Sequence, residues 1–203
     1  MHADNSFKRA GTRDTARTRR AILAAASRLI ARNGLRVGLN RIAEEAGVSK
    51  SGLLHHFPAR DMLLDALIRE MYSRLRQNVY ERIDLTENRP GKLLRAYVRA
   101  MCDDFEAILQ TDPSDSEMEL DWGAWVVIRS NSETSDIEQQ DALQWDRELA
   151  ADGLDQNRAL LVRLAADGLA AFAQLDADLA RDYIARMRPL LLALTEDTGP
   201  LTA

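Results

Sequence analysis

Apolar residues recur along nearly the whole chain at helical rather than strand spacing. From Arg17 to Asn33, the residues Ile22, Ala26, Leu29 and Ile30 fall on one stripe, three or four positions apart, as a period of 3.6 requires. The Asn33-Gly34 pair predicts the end of that helix, since glycine accepts the left-handed backbone that closes many helices. A short second helix is predicted over Leu39–Ala46 and a third over Ser49–Phe57, stopped by Pro58. A long fourth runs from Asp61 to about Ile83 through Leu64, Leu67, Ile68, Met71, Leu75 and Val79. Asn88–Gly91 reads as a turn, and Leu94, Tyr97, Val98, Met101, Phe105 and Ile108 mark a fifth helix closed by Asp112-Pro113.

A sixth helix holds Met118, Trp122, Trp125 and Val126, with Ser116 and Glu119 spaced as a capping box. The polar stretch Asn131–Ser135 predicts a loop, and a weakly periodic seventh helix includes Ile137, Trp145 and Leu149. The eighth, Leu154–Phe172, is rich in alanine and glycine. Asp176 caps a ninth, whose Pro189 predicts a kink. Sustained two-residue alternation is absent, so the fold class is all-α with about nine helices. Three domains are expected: a flexible basic arm over 1–14, a three-helix head over 15–60, and a helical bundle over 61–203.

Charge changes the picture more than composition does. The first sixty of the 203 residues carry twelve Lys/Arg against four acids, a net +8, while the remainder carries fifteen against twenty-eight, a net −13. A basic head on an acidic body points to a polyanionic partner for the head alone. No apolar run reaches the roughly 18–20 residues of a membrane helix. The polar start lacks the apolar region of a secretion signal, so a cytoplasmic protein with no membrane partner is expected. Cys102 is the single cysteine, read either as inert core or as a thiol sensor, and a cysteine-based zinc site is excluded.

The segment from Asn40 to Phe57 has the layout of a helix-turn-helix. Ala43 is small enough for a second helix to cross closely, Gly47 supplies the positive φ of a tight turn, and Val48 plugs the elbow. Ile42, Leu53 and Phe57 supply a shared core, and Ser49 caps a helix presenting Lys50, Ser51, His55 and His56. An ordinary helical hairpin is the alternative, but it has no need of the surrounding +8. Adjacent His55 and His56 point about 100° apart on a helix, so no metal is expected there.

With these residues in view, the chain resembles the TetR family of repressors. The run IAEEAGVSKSGLLHHFPARDMLLDAL, from Ile42 to Leu67, carries the likeness, which extends over roughly residues 15–75. Beyond that it rests on helix number, chain length and the small-residue eighth helix. The resemblance implies that Ser49–Phe57 is the recognition helix. It also implies that Asn40, Arg41, Lys50, Ser51, Gly52, His55, His56 and Arg60 lie at DNA-contacting positions, with Thr18 adding a phosphate contact. Two departures stand out: Leu54 replaces the family's usual tyrosine, and Gly38 replaces its usual threonine cap.

Chemistry divides these residues. Lys50 and Ser51, at the start of the recognition helix, suit base edges, whereas His55, His56 and Arg60 suit phosphates. Arg9, Arg13 and Arg17 form either an arm tracking the DNA backbone or a solvated tail.

The body shows no catalytic constellation, since residues 57–203 contain no histidine and no glycine-rich phosphate loop. No enzymatic activity and no cofactor are expected. Met71, Met101, Phe105, Met118, Trp122 and Trp125 suit either a cavity for an apolar or amphipathic effector or simply core. The family implies a pocket between helices four and eight. It also implies a homodimer through helices eight and nine, for which Ala165, Gly168, Leu169, Phe172, Leu179, Tyr183, Leu191 and Leu194 are the expected residues. Packing within one chain is the alternative. The function expected is a ligand-responsive repressor on a palindromic duplex operator, or else a DNA-binding regulator with no small-molecule effector.

Overall fold

The computed structural model describes residues 4–110, 122–129, 135–173, 176–196, 199 and 201, and all regular structure among them is helical. In chain order the helices are α1 (Asp4–Asn33), α2 (Leu39–Glu45), α3 (Lys50–His56), α4 (Arg60–Glu81), α5 (Lys92–Gln110), α6 (Trp122–Arg129), α7 (Ser135–Ala150), α8 (Gln156–Ala173) and α9 (Ala177–Leu194). A single 3-10 turn, Gly34–Arg36, follows α1. None of the described helices is long and apolar enough to cross a membrane. The Ser116–Glu119 capping box, Met118 and the Asn131–Thr134 part of the predicted loop lie outside the described residues.

The chain divides into two compact units, and the division falls inside α4, after Met71. The first contains α1–α3, the start of α4, and α6. Here α1 packs against α2, the 3-10 turn and α6, while α2 packs on α3. Ile22, Ala26, Ile30, Ile42, Ala43, Leu53, Phe57, Leu63 and Leu67 form its buried core. Residues 4–14, expected as a flexible arm, are helical and continue α1. The apolar pattern predicts a start at Arg17 because no apolar stripe precedes Ile22, yet helix propagation needs no buried face at every turn.

In the second unit α5 packs on both α8 and α9, and α7 packs on α8. Leu94, Val98, Met101, Val162, Ala166, Ile184 and Leu191 are buried there. Trp145 anchors α7: the Tyr97 ring meets it edge-on at 4.9 Å, and the Arg76 guanidinium lies 4.2 Å over it. Arg76 Nη1 and Nη2 also donate to Glu148 Oε2 and Asp141 Oδ1, both at 2.7 Å, tying the end of α4 to α7.

Buried polar groups close the ends of these helices. Asp152 Oδ2 accepts from the backbone N–H groups of Leu93 (2.9 Å) and Leu94 (3.1 Å), capping α5 from the α7–α8 turn. Arg95, almost wholly buried, donates to the carbonyls of Thr195 (2.8 Å) and Pro90 (2.7 Å) and pairs with Glu87 at 2.7 Å. Gly91 has φ +86°, and a Cβ there would fall 2.5 Å from Leu154 Cδ1, so the turn before α5 requires glycine. Asp176 caps α9 as expected, accepting from Asp178 and Leu179 N–H. Helix α9 runs unbroken through Pro189, which is exposed.

Candidate nucleic-acid interface

The head is built by short-range chemistry. Gly47 sits at φ +68° and donates to the Glu44 carbonyl at 3.1 Å, and Val48 N–H reaches the Ala43 carbonyl at 2.9 Å. That turn re-aims the chain from α2 into α3. Ser49 Oγ accepts from Gly52 N–H at 3.0 Å, satisfying one of the first unpaired donors of α3. It also lies 3.0 Å from Ser51 Oγ. A Cβ on Gly52 would come within 3.2 Å of Ser49 Oγ, so glycine lets the cap close without crowding. Gly38 starts α2 with extended backbone and no side-chain cap, as its replacement of threonine predicts.

Long-range contacts fix the two short helices. The Arg19 guanidinium stacks 4.5 Å over the Phe57 ring, joining α1 to the end of α3. Arg28 pairs with Glu45 at 3.6 Å, joining α1 to α2. The Arg60 guanidinium donates to the carbonyls of Leu35 and Val37 and pins the segment before α2 to the start of α4. No periodicity or spacing announces these contacts. Arg60 was expected to hold a phosphate; it is half-buried, and two of its donors are already committed to backbone.

The remaining predicted contacts divide by exposure. Asn40, Arg41, Lys50, Ser51 and His55 are exposed, while Gly52 and His56 are half-buried. Arg41 makes only a loose, solvated pair with Glu44 at 3.4 Å. The His55 and His56 rings meet edge-on, with centroids 5.7 Å apart. Among the described residues no group of three or more His, Cys, Asp or Glu could hold a metal. Thr18, expected at the start of the first helix, lies well inside α1, and its hydroxyl donates to the Asp14 carbonyl at 2.9 Å. It thus has a local acceptor in its own helix.

Two matches with family models decide what this head belongs to. Residues 22–67 match the model of bacterial regulatory proteins of the tetR family. Residues 91–196 match that of the tetracyclin repressor-like C-terminal domain, which alone spans over half the chain. The chain belongs to the TetR family. As a TetR-family transcriptional regulator it binds DNA, and the helix-turn-helix just described is the family's DNA-binding element.

No curated protein matches the sequence. Solved structures share its fold at low identity. A transcriptional regulator from Rhodococcus sp. Rha1 is similar at 22% identity and a TM-score of 0.66, covering 91% of this chain and 99% of its own. A TetR-family transcriptional regulator from Streptomyces coelicolor gives 19% and 0.61, over 90% and 97%. The multidrug binding protein EbrR, complexed with imidazole, gives 21% and 0.56, over 91% and 96%.

In the rest of this TetR-family chain, the expected effector residues fall in different places. Met71 is buried and Trp125 half-buried in the first unit, whereas Met101 is buried in the second. Met118 and the side chains of Phe105 and Trp122 lie outside the described residues. Cys102 is fully buried, and burial pushes its thiol up to about 11, the behaviour of inert core.

The expected dimer residues also divide. Leu169 and Leu191 are buried within the chain and belong to its core. Ala165, Tyr183 and Leu194 are half-buried, Gly168 and Leu179 are exposed, and the Phe172 side chain lies outside the described residues. Leu160, Leu161 and Leu164, which the sequence pattern does not single out, are about half exposed and share an outward arc of α8 with Gly168. At 100° per residue these four lie within about 100° of one another. On α9, exposed Leu190 lines up with Leu179, Tyr183 and Leu194 in the same way.

Proposed function

We propose that the chain is a ligand-responsive repressor that binds a palindromic operator as a homodimer. The observation carrying this reading is the outward face of α3, where Lys50, Ser51 and His55 are exposed in a segment of net charge +8. A helix set by its cap and seated by Phe57 can enter a major groove with its N-terminal turn against base edges. Lys50 and Ser51 then read bases, and Gly52 lets the α3 backbone approach the duplex. His55, His56, Asn40 and Arg41 hold phosphates. Arg60 and Arg19 are positioning residues that keep α2 and α3 at their mutual angle.

Dimerisation follows from the apolar arcs on α8 and α9, which leave Leu160, Leu161, Leu164, Leu179 and Leu190 substantially in water in a single chain. A two-fold partner covering both arcs buries them in a four-helix interface and sets two heads on one face of a duplex. An effector releases the operator only by binding the DNA-incompetent arrangement more tightly than the competent one. EbrR, of the same fold, is a multidrug binding protein, which supports ligand response here.

Selection of bound sequences from a random duplex library by the purified protein tests the reading. Enrichment of a palindrome with two half-sites is the expected result. Enrichment of a single asymmetric half-site would overturn the dimeric reading, and no enrichment at all would overturn specific DNA recognition by α3.

A further inference from the structure

A cleft of about 480 Å³ opens between α7 and α8, within the second unit. That volume lies in the roughly 300–1,000 Å³ range of small-ligand sites. Its lining has a buried part and an exposed rim. Leu149, Ala159 and Arg163 are all buried, whereas Leu143, Leu160, Asp146 and Arg147 stand exposed around them. Met71, Met101 and Trp125, the described methionines and tryptophan among the expected effector residues, do not line it.

Arg163 is the buried charge on this lining. More than nine-tenths of it is buried, although it carries a charge. Its Nη1 donates to Asp146 Oδ1 at 2.6 Å and to the Ala142 carbonyl at 3.3 Å. Its Nε–H is buried with no hydrogen-bond acceptor among the described residues; Asp167 Oδ2 lies 3.9 Å away. Asp167 also accepts the hydroxyl hydrogen of buried Tyr97. The one carboxylate on the lining, Asp146, has a side chain 54% exposed, so it can turn out into water. With Arg147 added, the described lining carries two guanidiniums against one carboxylate, with Asp167 behind Arg163.

We propose that this cleft binds an amphipathic monoanion: an aliphatic or aromatic carboxylate with its head group on Arg163 and its apolar body between Leu143 and Leu160. The incoming carboxylate takes the place of Asp146 on a guanidinium whose planar fork suits bidentate pairing. Leu143, left about half exposed and away from the dimer arc, is covered by the apolar body of the ligand. Leu160 also belongs to the outward arc of α8, so the cleft opens at the edge of the proposed dimer face. The site rests on the ligand-responsive reading only in making its occupant an effector.

Octanoate and 1-octanol, titrated calorimetrically into the full-length protein, test this directly, since they share an apolar body and differ in the head group. Octanoate is expected to saturate at one per chain, with 1-octanol weaker by about tenfold or more. Leu143→Glu and Arg147→Glu alter exposed α7 residues away from the dimer arc. Each is expected to weaken octanoate by about tenfold while leaving the circular dichroism spectrum and ligand-free operator binding unchanged. Equal affinity for the two probes, unchanged affinity in both variants, or no saturable binding of octanoate would overturn the proposal. Operator binding that is indifferent to saturating octanoate would count against effector control and leave the binding site standing. Failure to bind any operator without octanoate would count against the regulatory reading alone.

Discussion

Replacing Arg60 separates two roles that sequence alone cannot tell apart. Its guanidinium donates to the carbonyls of Leu35 and Val37, 25 and 23 residues earlier, and so fixes the entry to α2. Hydrogen bonds involving a charged group contribute roughly 1.5–3 kcal/mol when buried. Here the group is half-buried, so water can solvate both carbonyls once the side chain is gone, and Arg60→Met is expected to cost the head about 1–3 kcal/mol. Arg60→Lys keeps the charge but places a single point of charge where a planar fork bridges two acceptors, so most of that loss should remain. The DNA measurement is the slope of log K against log salt concentration on the selected operator. A residue that neutralises a phosphate contributes about 0.9 to that slope. A positioning residue lowers affinity for every duplex and leaves the slope as it was. Urea midpoints with an unchanged m-value measure the first effect, and titrations over a salt series measure the second. A slope reduced by about one per half-site with an unshifted midpoint would refute the positioning role.

Lys50→Ala is expected to reduce preference for the operator over a scrambled duplex by about 1–3 kcal/mol, measured by competition on both sequences. Ser49→Ala removes the acceptor for Gly52 N–H and should destabilise the head by about 1 kcal/mol, read as a shift in the urea midpoint. Leu164→Arg or Gly168→Arg, on the outward arc of α8, should give helical monomers by sedimentation with weakened operator affinity. Neither site is packed in the single chain, so an intact dimer would place the interface elsewhere. Cys102 should resist a thiol reagent at neutral pH in the folded protein and react after unfolding. Its raised thiol pKa favours the unreactive protonated form until the pH approaches about 11.

The legible parts of this molecule are those whose physics is local. Gly47, Ser49 and Asp176 act on groups within a few residues, and each does in the structure what its type and place predict. The stops at Gly34 and Pro58 are local in the same sense. By contrast, Arg19 over Phe57, Arg28 with Glu45 and Arg60 on two distant carbonyls depend on which helices cross, which no period encodes. The same limit applies to the proposed dimer stripe. In the run Leu190-Leu191-Leu192 the helical period cannot say which leucine faces inward; packing of α9 on α5 and α8 buries Leu191 and leaves Leu190 in water. Helix α6 is a further case. Its tryptophans suggested a place in the body, yet it packs on α1 in the first unit, a contact nearly a hundred residues away along the chain.

This division bears on function as well as on fold. Recognition of a duplex, as proposed, uses exposed side chains on one short helix, held by a turn and a cap that adjoin it in sequence, so Lys50, Ser51 and His55 are candidates that spacing and charge suggest. A ligand site draws its lining from separate helices. The α7–α8 cleft pairs Leu143 with Leu160 and Asp146 with Arg163, each seventeen residues apart and each unremarkable in its own helix. What marks the place is a buried guanidinium with an unpaired Nε–H beside an uncovered apolar wall, and burial is a property of the packed chain. The recognition face is therefore written in consecutive residues, and the site that would control it is written in the fold.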